Sequence, residues 1–426
     1  MSELFEGISI SPIKYILIDE NILKEVPYVL KDLGARKNIT IICDQNTYKA
    51  AGKEVIEYLK DFDVTLCKFD KFHLIPDERS LGEIILRMDS QSEFLCAIGS
   101  GTINDLTRFL SFKTKIPYGI VATAPSMDGY TSSVSPLIVN GFKRTYNAGY
   151  PQFVIGDLNV LSCAPYDMIT SGFGDIIGKY TSLADWMISN VVNGENFSED
   201  IANIVRNSIE RCVQNVDKIK SRDKSAVKNV MNALVLSGIA MLKVGNSRPA
   251  SGAEHHIAHY IEIKALMNGQ IPPFHGSSVG VAEVIVSGIY HKVFSQDRNE
   301  VQKMISKAKF ESRQEYLERI KRVYGPISDE IFEEIGEFYF DKFEREKRQK
   351  QIVEKWDYLK NWVHENVPES YWIKELLKSI DAPITLKDIN VDMNLDEIIK
   401  NAKEIRKRYT IFRLADDIGF NLGFIK

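Results

Sequence analysis

The sequence predicts an N-terminal α/β domain with a parallel β-sheet, followed by a domain built only of helices. Over roughly the first 160 residues, short apolar runs typical of strands alternate with segments of helical spacing, the pattern of a parallel sheet covered by helices. Beyond Pro165 the strand patterns stop and only helical patterns follow. The length of 426 residues fits two domains better than one, and we predict the ranges 1–162 and 163–426.

The elements of the first domain follow from local patterns. The predicted strands are short apolar runs at 15–20, 38–44, 63–70, 93–99 and 118–125. Helical spacing between them predicts helices at 22–34, 46–62, 80–88 and 102–112. Gly34 is a typical helix stop, and Ser80 with Glu83 matches a capping box. Asn140-Gly141 between two extended runs predicts a β-hairpin.

The second half of the chain is predicted to be all helical. Helical patterns cover 166–192, 198–220, 223–243 and much of 254–410. Within it, residues 298–366 combine Lys, Arg and Glu with Phe, Tyr and Trp. Such a composition could form a basic aromatic surface for nucleic acid, but the mixed charges favour solvated amphipathic helices.

Composition excludes several classes of function. The formal net charge is −4, which gives no basic field for nucleic acid or an anionic membrane. The five cysteines show no CxxC spacing, which argues against a disulfide framework and against a thiolate zinc site. The N-terminus lacks the apolar core of a signal peptide, and no run of 18 apolar residues predicts a membrane span. We therefore expect a cytoplasmic protein.

One glycine turn lies between a predicted strand and a predicted helix, in LCAIGSGTINDLTRF at 95–109. Gly99 and Gly101 permit a close backbone approach, and Thr102 with Asp105 resembles a capping box at a helix start. The N–H groups of such a helix start can bind a pyrophosphate. The turn is neither GxGxxG nor a Walker loop, so an ordinary tight turn remains an equal alternative.

Two further acidic residues follow predicted strands. Asp44 ends the second strand, where a carboxylate can accept hydrogen bonds from the adenosine ribose or simply cap the next helix. Asp128 lies in TAPSMDGYTSSVSP at 123–136, just after another strand. Because ligands of open α/β sheets collect at the carboxyl ends of strands, Asp128 is either a substrate contact or a turn residue.

The segment SGAEHHIAHYIE holds three of the seven histidines. In a helix, His255 and His259 share a face, while His256 points about 100° away. This pair suits a divalent metal, or one ligand beside one substrate-facing residue, or a polar helix surface. His275 follows two prolines and precedes a Gly/Ser helix start, a rigid position.

Asp175 lies among glycines in GFGDIIGK, where it is either a helix-capping carboxylate or a functional group. Asp175, His255 and His275 would together make an oxygen and nitrogen ligand set with a vacant position. Such a set is typical of a catalytic metal site rather than of a closed structural one.

Four segments resemble motifs of the family that unites dehydroquinate synthases, glycerol dehydrogenases and iron-containing alcohol dehydrogenases. They are GSGTINDLTRF, TAPSMDGYTSS, SGFGDIIGKYTSLADW and SRPASGAEHHIAHYIE. The resemblance implies a Rossmann-like nucleotide-binding domain, a helical C-terminal domain and an active site in the cleft between them. It is closest to the branch that reduces dihydroxyacetone phosphate to sn-glycerol 1-phosphate for phospholipid synthesis, with NADH or NADPH.

The resemblance also implies residue roles. The dinucleotide, NAD or NADP, would be held by Asp44, Gly99, Ser100, Gly101, Thr102, Ile103, Thr123, Ala124, Pro125, Ser126 and Ser132. One divalent metal (Zn²⁺, Ni²⁺ or Fe²⁺) would be held by Asp175, His255 and His275. The substrate contacts would be Asp128, Asp175 and His259, of which Asp175 and His259 are the implied catalytic residues. His256 matches no functional position, and we expect a homo-oligomer, a dimer or larger.

Some features depart from the family or leave alternatives open. The dehydroquinate synthase branch has glycines where this chain has Glu254 and Ala258, which weighs against a cyclase. Residues 300–426 match no family segment that we can align, and the cation that would hold a substrate phosphate is undecided among Lys143, Arg144 and Arg248. A polyol or alcohol dehydrogenase acting on an unphosphorylated substrate is the main alternative. A nucleotide-binding protein without catalysis is a further one.

Overall fold

The computed structural model describes residues 12–70, 74–140, 142–335 and 341–424. Contacts within the chain define two compact units. Unit 1 contains Met1–Ile176 and Asn207–Gly245, and unit 2 contains Ile177–Arg206 and Asn246–Lys426. Contacts therefore group 163–176 and 207–245 with the sheet, whereas the sequence assigned both segments to the helical domain.

A six-stranded sheet forms the centre of unit 1, in the order β1-β8-β5-β4-β2-β3. Its strands are β1 Tyr15–Asp19, β2 Asn38–Asp44, β3 Asp63–Phe69, β4 Phe94–Gly99, β5 Tyr118–Ala122 and β8 Phe153–Asp157. Every strand pair in it is parallel, which confirms the fold class predicted from the alternating pattern. The five predicted strands are all present, and β8 is the strand that the sequence did not predict.

Apolar side chains on both faces of the sheet explain why it forms. All residues of β4, β5 and β8 are buried, as in a parallel sheet covered by helices on each side. Phe94 and Phe153 stack with ring centroids 5.7 Å apart. A Cβ atom at Gly119 would lie 2.3 Å from the Phe153 ring, so a glycine is required there for the two strands to pack.

Helices up to residue 250 agree with the predicted pattern, with local differences. The α-helices are Val26–Asp32, Gln45–Thr47, Lys53–Tyr58, Glu78–Arg87, Gly101–Thr114, Leu158–Ser162, Tyr166–Ile177, Lys179–Asn193, Glu199–Val213, Val216–Ile219 and Lys224–Val244. Shorter turns of 3₁₀ or π type are Leu23–Glu25, Tyr48–Gly52 and Gly129–Thr131.

Two local predictions on helix ends have opposite outcomes. Gly34 has a φ of +90°, in the left-handed region expected of a glycine after a helix. The capping box at Ser80 and Glu83 is wrong, because the helix begins at Glu78. The Asp77 carboxylate caps it instead, accepting a hydrogen bond from the Ser80 N–H at 2.8 Å.

The predicted hairpin forms a separate two-stranded antiparallel sheet. Its strands are β6 Val134–Val139 and β7 Phe142–Asn147, with Val139 opposite Phe142. Asn140 in the turn has a φ of +52°, which asparagine tolerates better than most residues. Gly141, the other predicted turn residue, lies outside the described residues.

Described elements beyond residue 250 are all helical, as predicted. The α-helices are Ala253–Met267, His275–Phe294, Arg298–Lys307, Arg313–Tyr324, Ser328–Ile335, Lys342–Asn366, Ser370–Ser379, Leu395–Ala402 and Ile411–Ile418. The 3₁₀ turns are Gly325–Ile327, Lys387–Ile389 and Leu422–Phe424. The charged helix Lys342–Asn366 buries one stripe, Arg345, Arg348, Ile352, Trp356, Leu359 and Val363. This spacing of three and four confirms an amphipathic helix.

The helix Lys224–Val244 is long and apolar enough to cross a membrane by length and composition alone. However, 72% of its most apolar window is buried within the structure, as in the core helix of a globular unit. The helix contacts the Gly129–Thr131 turn and the helix Leu158–Ser162 of the same unit. It is therefore weak evidence for a membrane span.

The N-cap of this helix provides a test of local stability. The Asp223 carboxylate accepts hydrogen bonds from the N–H groups of Ser225, at 2.9 Å, and Ala226, at 3.2 Å. Asp223→Ala should lower the free energy of unfolding by about 1 kcal/mol at neutral pH, whereas Asp223→Asn, which keeps a capping oxygen, should lower it much less. Urea denaturation followed by circular dichroism measures both changes.

The same variant has a defined pH dependence. Hydrogen bonds from the Ser225 side chain, the Ala226 N–H and the Ser225 N–H lower the pKa of Asp223 below its ordinary value of 3.8. Because the folded-state pKa is depressed, this stabilisation is complete above the unfolded-state pKa and is lost as the pH falls through the folded-state pKa. The difference between wild type and Asp223→Ala should shrink in strong acid. A difference that stays constant with pH would contradict the role of the carboxylate.

Candidate active site

Three predicted cofactor segments follow neighbouring strands of unit 1. Asp44 ends β2, Gly99 ends β4, and Thr123 directly follows β5. These strands are adjacent in the sheet, so the three segments leave it at the same edge. The Thr123 N–H donates to the Gly99 carbonyl at 3.0 Å, which holds two of them together. Carboxyl ends of parallel strands are where such sheets bind ligands.

The glycine turn after β4 leads directly into a helix. Ser100 is the N-cap of the helix Gly101–Thr114, with extended backbone angles and no side-chain capping bond. The predicted start at Thr102 with an Asp105 capping box is therefore wrong. A Cβ atom at Gly99 would lie 2.7 Å from the Ile103 Cβ, so this close turn requires glycine. The helix N-terminus presents the partial positive charge that favours a pyrophosphate.

Asp44 acts as a helix cap. Its Oδ1 accepts hydrogen bonds from Asn46 N–H at 2.7 Å and Thr47 N–H at 2.9 Å, and the Thr47 hydroxyl accepts one from the Asp44 N–H. Of the two roles that the sequence left open for Asp44, the structure therefore shows the helix cap. Capping occupies Oδ1, and a ribose contact at this strand end stays a prediction.

A buried arginine that sequence reasoning missed holds the loop 123–136. Arg108 has no exposed surface and donates to the carbonyls of Gly129, Tyr130 and Val134. It also pairs with Asp105 at 2.8 Å and donates to the Tyr118 hydroxyl. In the sequence Arg108 lies on the polar side of its helix with Asn104 and Asp105, so no sequence signal distinguishes it from a solvent-facing arginine.

The loop 123–136 also packs against the helix Tyr166–Ile177 and is held by hydrogen bonds of its own. The Ser171 hydroxyl donates to the Ser126 carbonyl at 3.1 Å. A Cβ atom at Gly172 would lie 1.8 Å from the Pro125 carbonyl oxygen, so the glycines of SGFGD allow this contact. The Tyr130 hydroxyl donates to the Ala124 carbonyl, and the Ser132 hydroxyl accepts from Val134 N–H.

Asp128 and Asp175 are brought together within unit 1. The Asp128 N–H donates to Asp175 Oδ2 at 3.0 Å, and the Asp128 carboxylate accepts from the Ser237 hydroxyl at 2.9 Å. Asp175 is fully buried and lies near the end of its helix, which finishes at Ile177. The prediction that Asp175 could cap a helix N-terminus is therefore wrong, because its helix begins much earlier, at Tyr166.

Three histidines cluster within unit 2. The helix Ala253–Met267 carries His255 and His259 on one face, and His275 begins the next helix, His275–Phe294. The ring centroid of His275 lies 5.1 Å from that of His255 and 5.2 Å from that of His259. The two helical assignments and the shared face agree with the sequence prediction.

A carboxylate contacts the Nδ1 atom of each of these three rings. Glu254 Oε1 lies 2.8 Å from His255 Nδ1. Glu262 contacts the other two, with Oε2 at 3.0 Å from His259 Nδ1 and Oε1 at 2.7 Å from His275 Nδ1. Carboxylates in such positions orient metal-binding imidazoles through Nδ1 and leave Nε2 as the ligand atom. Sequence reasoning missed both glutamates, although Glu262 follows His259 by one helical turn.

The electrostatics of His255 favour a neutral ring. Burial lowers its pKa well below the ordinary value, and the positive charges of Lys179, His275, His259 and Arg406 lower it further. A neutral imidazole is the form that binds a metal, so no proton has to be displaced.

His256 has a different environment from its neighbours. It is fully buried, and both ring nitrogens lack a hydrogen-bond partner. Burial lowers the pKa of His256 well below its ordinary value, so the ring is neutral at physiological pH. The ring packs inside unit 2, which agrees with the absence of a functional assignment for this residue.

Cations proposed for a substrate phosphate differ in availability. Arg248 is 6% exposed and is committed to Glu195, which it contacts through Nε at 2.8 Å and through one terminal nitrogen. Lys143 and Arg144 lie on the half-buried hairpin strand β7. A further cation that the sequence did not single out is Lys179, a fully buried residue whose charge acts on His255.

Comparisons with known proteins agree with this arrangement. The family model described as iron-containing alcohol dehydrogenase matches residues 17–165. The chain is 32% identical to a glycerol-1-phosphate dehydrogenase (NAD(P)+) of Halalkalibacterium halodurans, with 92% of this chain and 90% of the relative covered. It is 34% identical to the protein of the same name from Bacillus licheniformis, with 97% and 90% covered.

The fold is also found among solved structures. The glycerol dehydrogenase of Schizosaccharomyces pombe is similar with a TM-score of 0.59 at 16% identity, over 95% of this chain and 88% of that chain. An NADH-dependent butanol dehydrogenase A of Thermotoga maritima has the same TM-score at 14% identity, over 96% of this chain and 97% of that chain.

A parallel nucleotide-binding sheet followed by a helical unit with clustered histidines defines the class of iron-containing alcohol dehydrogenases. The extent of the curated matches then narrows the class. The chain belongs to the glycerol-1-phosphate dehydrogenase (NAD(P)+) family.

The role of Arg108 in holding the loop 123–136 is testable. Arg108→Met removes a buried cation together with the hydrogen bonds that it donates to Asp105 and to the loop carbonyls. We expect a loss of about 3 kcal/mol or more in the free energy of unfolding, and weaker NADH binding in the fraction that folds. Urea denaturation and NADH fluorescence titration measure the two effects.

Arg87→Met is the matched control. Arg87 is a largely exposed arginine that pairs with Glu83 of its own helix, Glu78–Arg87, and donates to the Lys68 carbonyl. Its cost should stay below about 0.5 kcal/mol. Equal stability losses in the two variants would refute the proposed role of Arg108.

Proposed function

We propose that this protein is an oxidoreductase that reduces dihydroxyacetone phosphate to sn-glycerol 1-phosphate with NADH or NADPH, reversibly. Membership of the glycerol-1-phosphate dehydrogenase family is the observation that carries this proposal. It favours the phosphorylated substrate over a free polyol. A product of this kind would feed glycerophospholipid synthesis.

The cofactor proposal rests on the sheet edge of unit 1. We propose that the helix N-terminus after Gly99 binds the pyrophosphate, because Ser100, Gly101, Thr102 and Ile103 supply backbone there. The loop Thr123–Ser126 and Ser132 would lie beside the nicotinamide ribose. Asp44 would lie beside the adenosine ribose. A carboxylate at the end of β2 favours NAD, but a neighbouring cation could pair with a 2′-phosphate, so both cofactors remain in the proposal.

The metal proposal combines residues of known ligand chemistry. We propose that Asp175, His255 and His275 hold one divalent ion, Zn²⁺, Ni²⁺ or Fe²⁺. Two imidazoles oriented through Nδ1 and one carboxylate are a common ligand set for a divalent ion, with room for a substrate oxygen. Ligand type does not select among the three metals.

The bound metal would polarise the C2 carbonyl, and the reduced nicotinamide would supply the hydride. The protein's own groups would do the rest. Asp128 would contact substrate hydroxyl groups and keep its hydrogen bond from Ser237. His259 would deliver the proton to the C2 oxygen, directly or through a water. Addition of the hydride to C2 and of this proton to the oxygen converts the carbonyl to the alcohol.

The substrate phosphate needs a cation or a helix N-terminus. With Arg248 committed to Glu195, we propose Lys179 and Arg406 as additional candidates beside Lys143 and Arg144. The charges of Lys179 and Arg406 both act on His255, so these two residues lie on the side of unit 2 that carries the histidines.

Location and assembly are further parts of the proposal. All five cysteines are free thiols, and four of them are buried, which is typical of a reducing compartment such as the cytoplasm. A homo-oligomer, a dimer or larger, remains our expectation.

The reaction can be tested directly. NADH and NADPH oxidation at 340 nm should require both dihydroxyacetone phosphate and a divalent metal, and chelation should abolish it. Addition of Zn²⁺, Ni²⁺ or Fe²⁺ to the chelated protein should restore it. Chiral analysis should show the sn-1 phosphate as product. Turnover of glycerol or another free polyol, with none of dihydroxyacetone phosphate under any metal, would overturn the substrate assignment.

The ligand assignment predicts a separable defect. His255→Ala should lose metal and activity, because one of two imidazole ligands is removed, yet bind NADH with unchanged affinity. Metal content by mass spectrometry and NADH fluorescence measure the two properties. His291→Ala, a histidine 13% exposed that bonds to the Val367 carbonyl, is the control and should keep its metal. Full activity in His255→Ala would show that our ligand set is wrong.

A further inference from the structure

We propose that Glu262 is a positioning residue that links the metal ligand His275 to the substrate-side residue His259. This inference rests on the metal site in the proposed function. A single carboxylate would then fix the orientation and the tautomer of two histidines that have different roles.

Glu262 contacts both rings through separate oxygen atoms. Its Oε1 lies 2.7 Å from His275 Nδ1, and its Oε2 lies 3.0 Å from His259 Nδ1. His259 and Glu262 are three residues apart, so they share a face of the helix Ala253–Met267. His275 reaches the same carboxylate because it begins the following helix. The two helices pack against each other, which holds all three groups in place.

Burial makes this arrangement specific. Glu262 is 3% exposed, and a carboxylate withdrawn from water needs hydrogen-bond donors. Each carboxylate oxygen contacts one Nδ1 atom, and as an acceptor on both oxygens the carboxylate takes the Nδ1–H of each imidazole. A neutral imidazole with its proton on Nδ1 has its lone pair on Nε2. Glu262 therefore presents Nε2 of His275 as a metal ligand and Nε2 of His259 as a group that exchanges protons with the substrate side.

Two rings held by one carboxylate also lie in a fixed relation to each other. The His259 and His275 rings stack with an interplanar angle of 21° and centroids 5.2 Å apart. His255 differs, because its Nδ1 is held by Glu254 rather than by Glu262. Loss of Glu262 should therefore disturb one ligand and the substrate-side histidine, but not the other histidine ligand.

A competing interpretation makes Glu262 a metal ligand itself. His259, Glu262 and His275 offer atoms within 4.8 Å of one another. However, both Glu262 oxygens already contact Nδ1 atoms at hydrogen-bond distances. A ligand role would require those contacts to be exchanged for metal bonds of about 2.0–2.2 Å. The two interpretations predict different losses when the carboxylate is replaced.

The test uses Glu262→Gln in the full-length protein. A glutamine oxygen can accept one Nδ1–H, but its NH₂ group cannot accept the other, so one ring loses its orientation. We expect the dissociation constant for Zn²⁺, measured by competition with a chromogenic chelator, to rise by about 10–100-fold. NADH affinity should not change. With saturating metal, kcat should fall by about tenfold or more because His259 is also misplaced, while KM changes little.

Two further variants make the result specific. Glu195→Gln is the control. Glu195 is a partly buried glutamate of unit 2 that contacts Arg248 and Ser189, and its replacement should leave the Zn²⁺ affinity within about threefold. Glu262→Asp keeps a carboxylate that can accept from both rings and should recover part of the affinity lost in Glu262→Gln. It also serves as the test if Glu262→Gln does not fold.

Other outcomes would overturn the inference. A Zn²⁺ affinity in Glu262→Gln equal to that of wild type would show that Glu262 does not position His275. A loss far beyond about 100-fold would indicate a direct ligand instead. An unchanged kcat at saturating metal would remove the link to His259. The metal-binding measurement needs no substrate, so failure of the proposed reaction would leave that part of the test intact.

Discussion

Hydrogen bonds between buried carboxylates and histidine Nδ1 atoms are the interaction on which the candidate site depends. Glu254 and Glu262 are almost completely buried, so each needs hydrogen-bond partners. Glu262 contacts two imidazoles, and Glu254 contacts one imidazole together with the Gly252 N–H and the Thr181 hydroxyl. In return, each ring is fixed with Nε2 as its remaining ligand atom. The proposed roles of the three histidines therefore depend on these two glutamates.

A second constraint acts in unit 1, where adjacent parallel strands place Asp44, Gly99 and Thr123 at one edge of the sheet. A turn without side chains at Gly99 and a loop held by Arg108 complete that edge. Arg108 is costly to bury, and its hydrogen bonds to loop carbonyls offset the cost only while the loop keeps one conformation. The same residue therefore links stability of the fold with the geometry of the cofactor segments.

Apolar periodicity predicted much of the fold. Burial on both faces gives strands such as β4 a continuous apolar run, and burial on one face gives helices such as Lys342–Asn366 a stripe of spacing three and four. β8 was missed because FVIGD follows a hairpin rather than a helix, so the alternating pattern was interrupted. Asp175 was misplaced at a helix start because its glycines suggested a break, whereas they allow close packing against Pro125. Residues that act through another side chain, such as Arg108 and Glu262, could not be assigned from the sequence. Their partners, the loop carbonyls and His275, are set by tertiary packing.

We propose that one metal ion binds through Nε2 of His255 and His275 and through Asp175. Crystals grown with Zn²⁺ and measured at its absorption edge test this most directly. We expect one anomalous peak at about 2.0–2.2 Å from His255 Nε2, His275 Nε2 and an Asp175 oxygen, with Glu262 still in contact with Nδ1 of His259 and of His275. A peak bound through Nδ1 or through Glu262, or a peak elsewhere with these residues vacant, would contradict it.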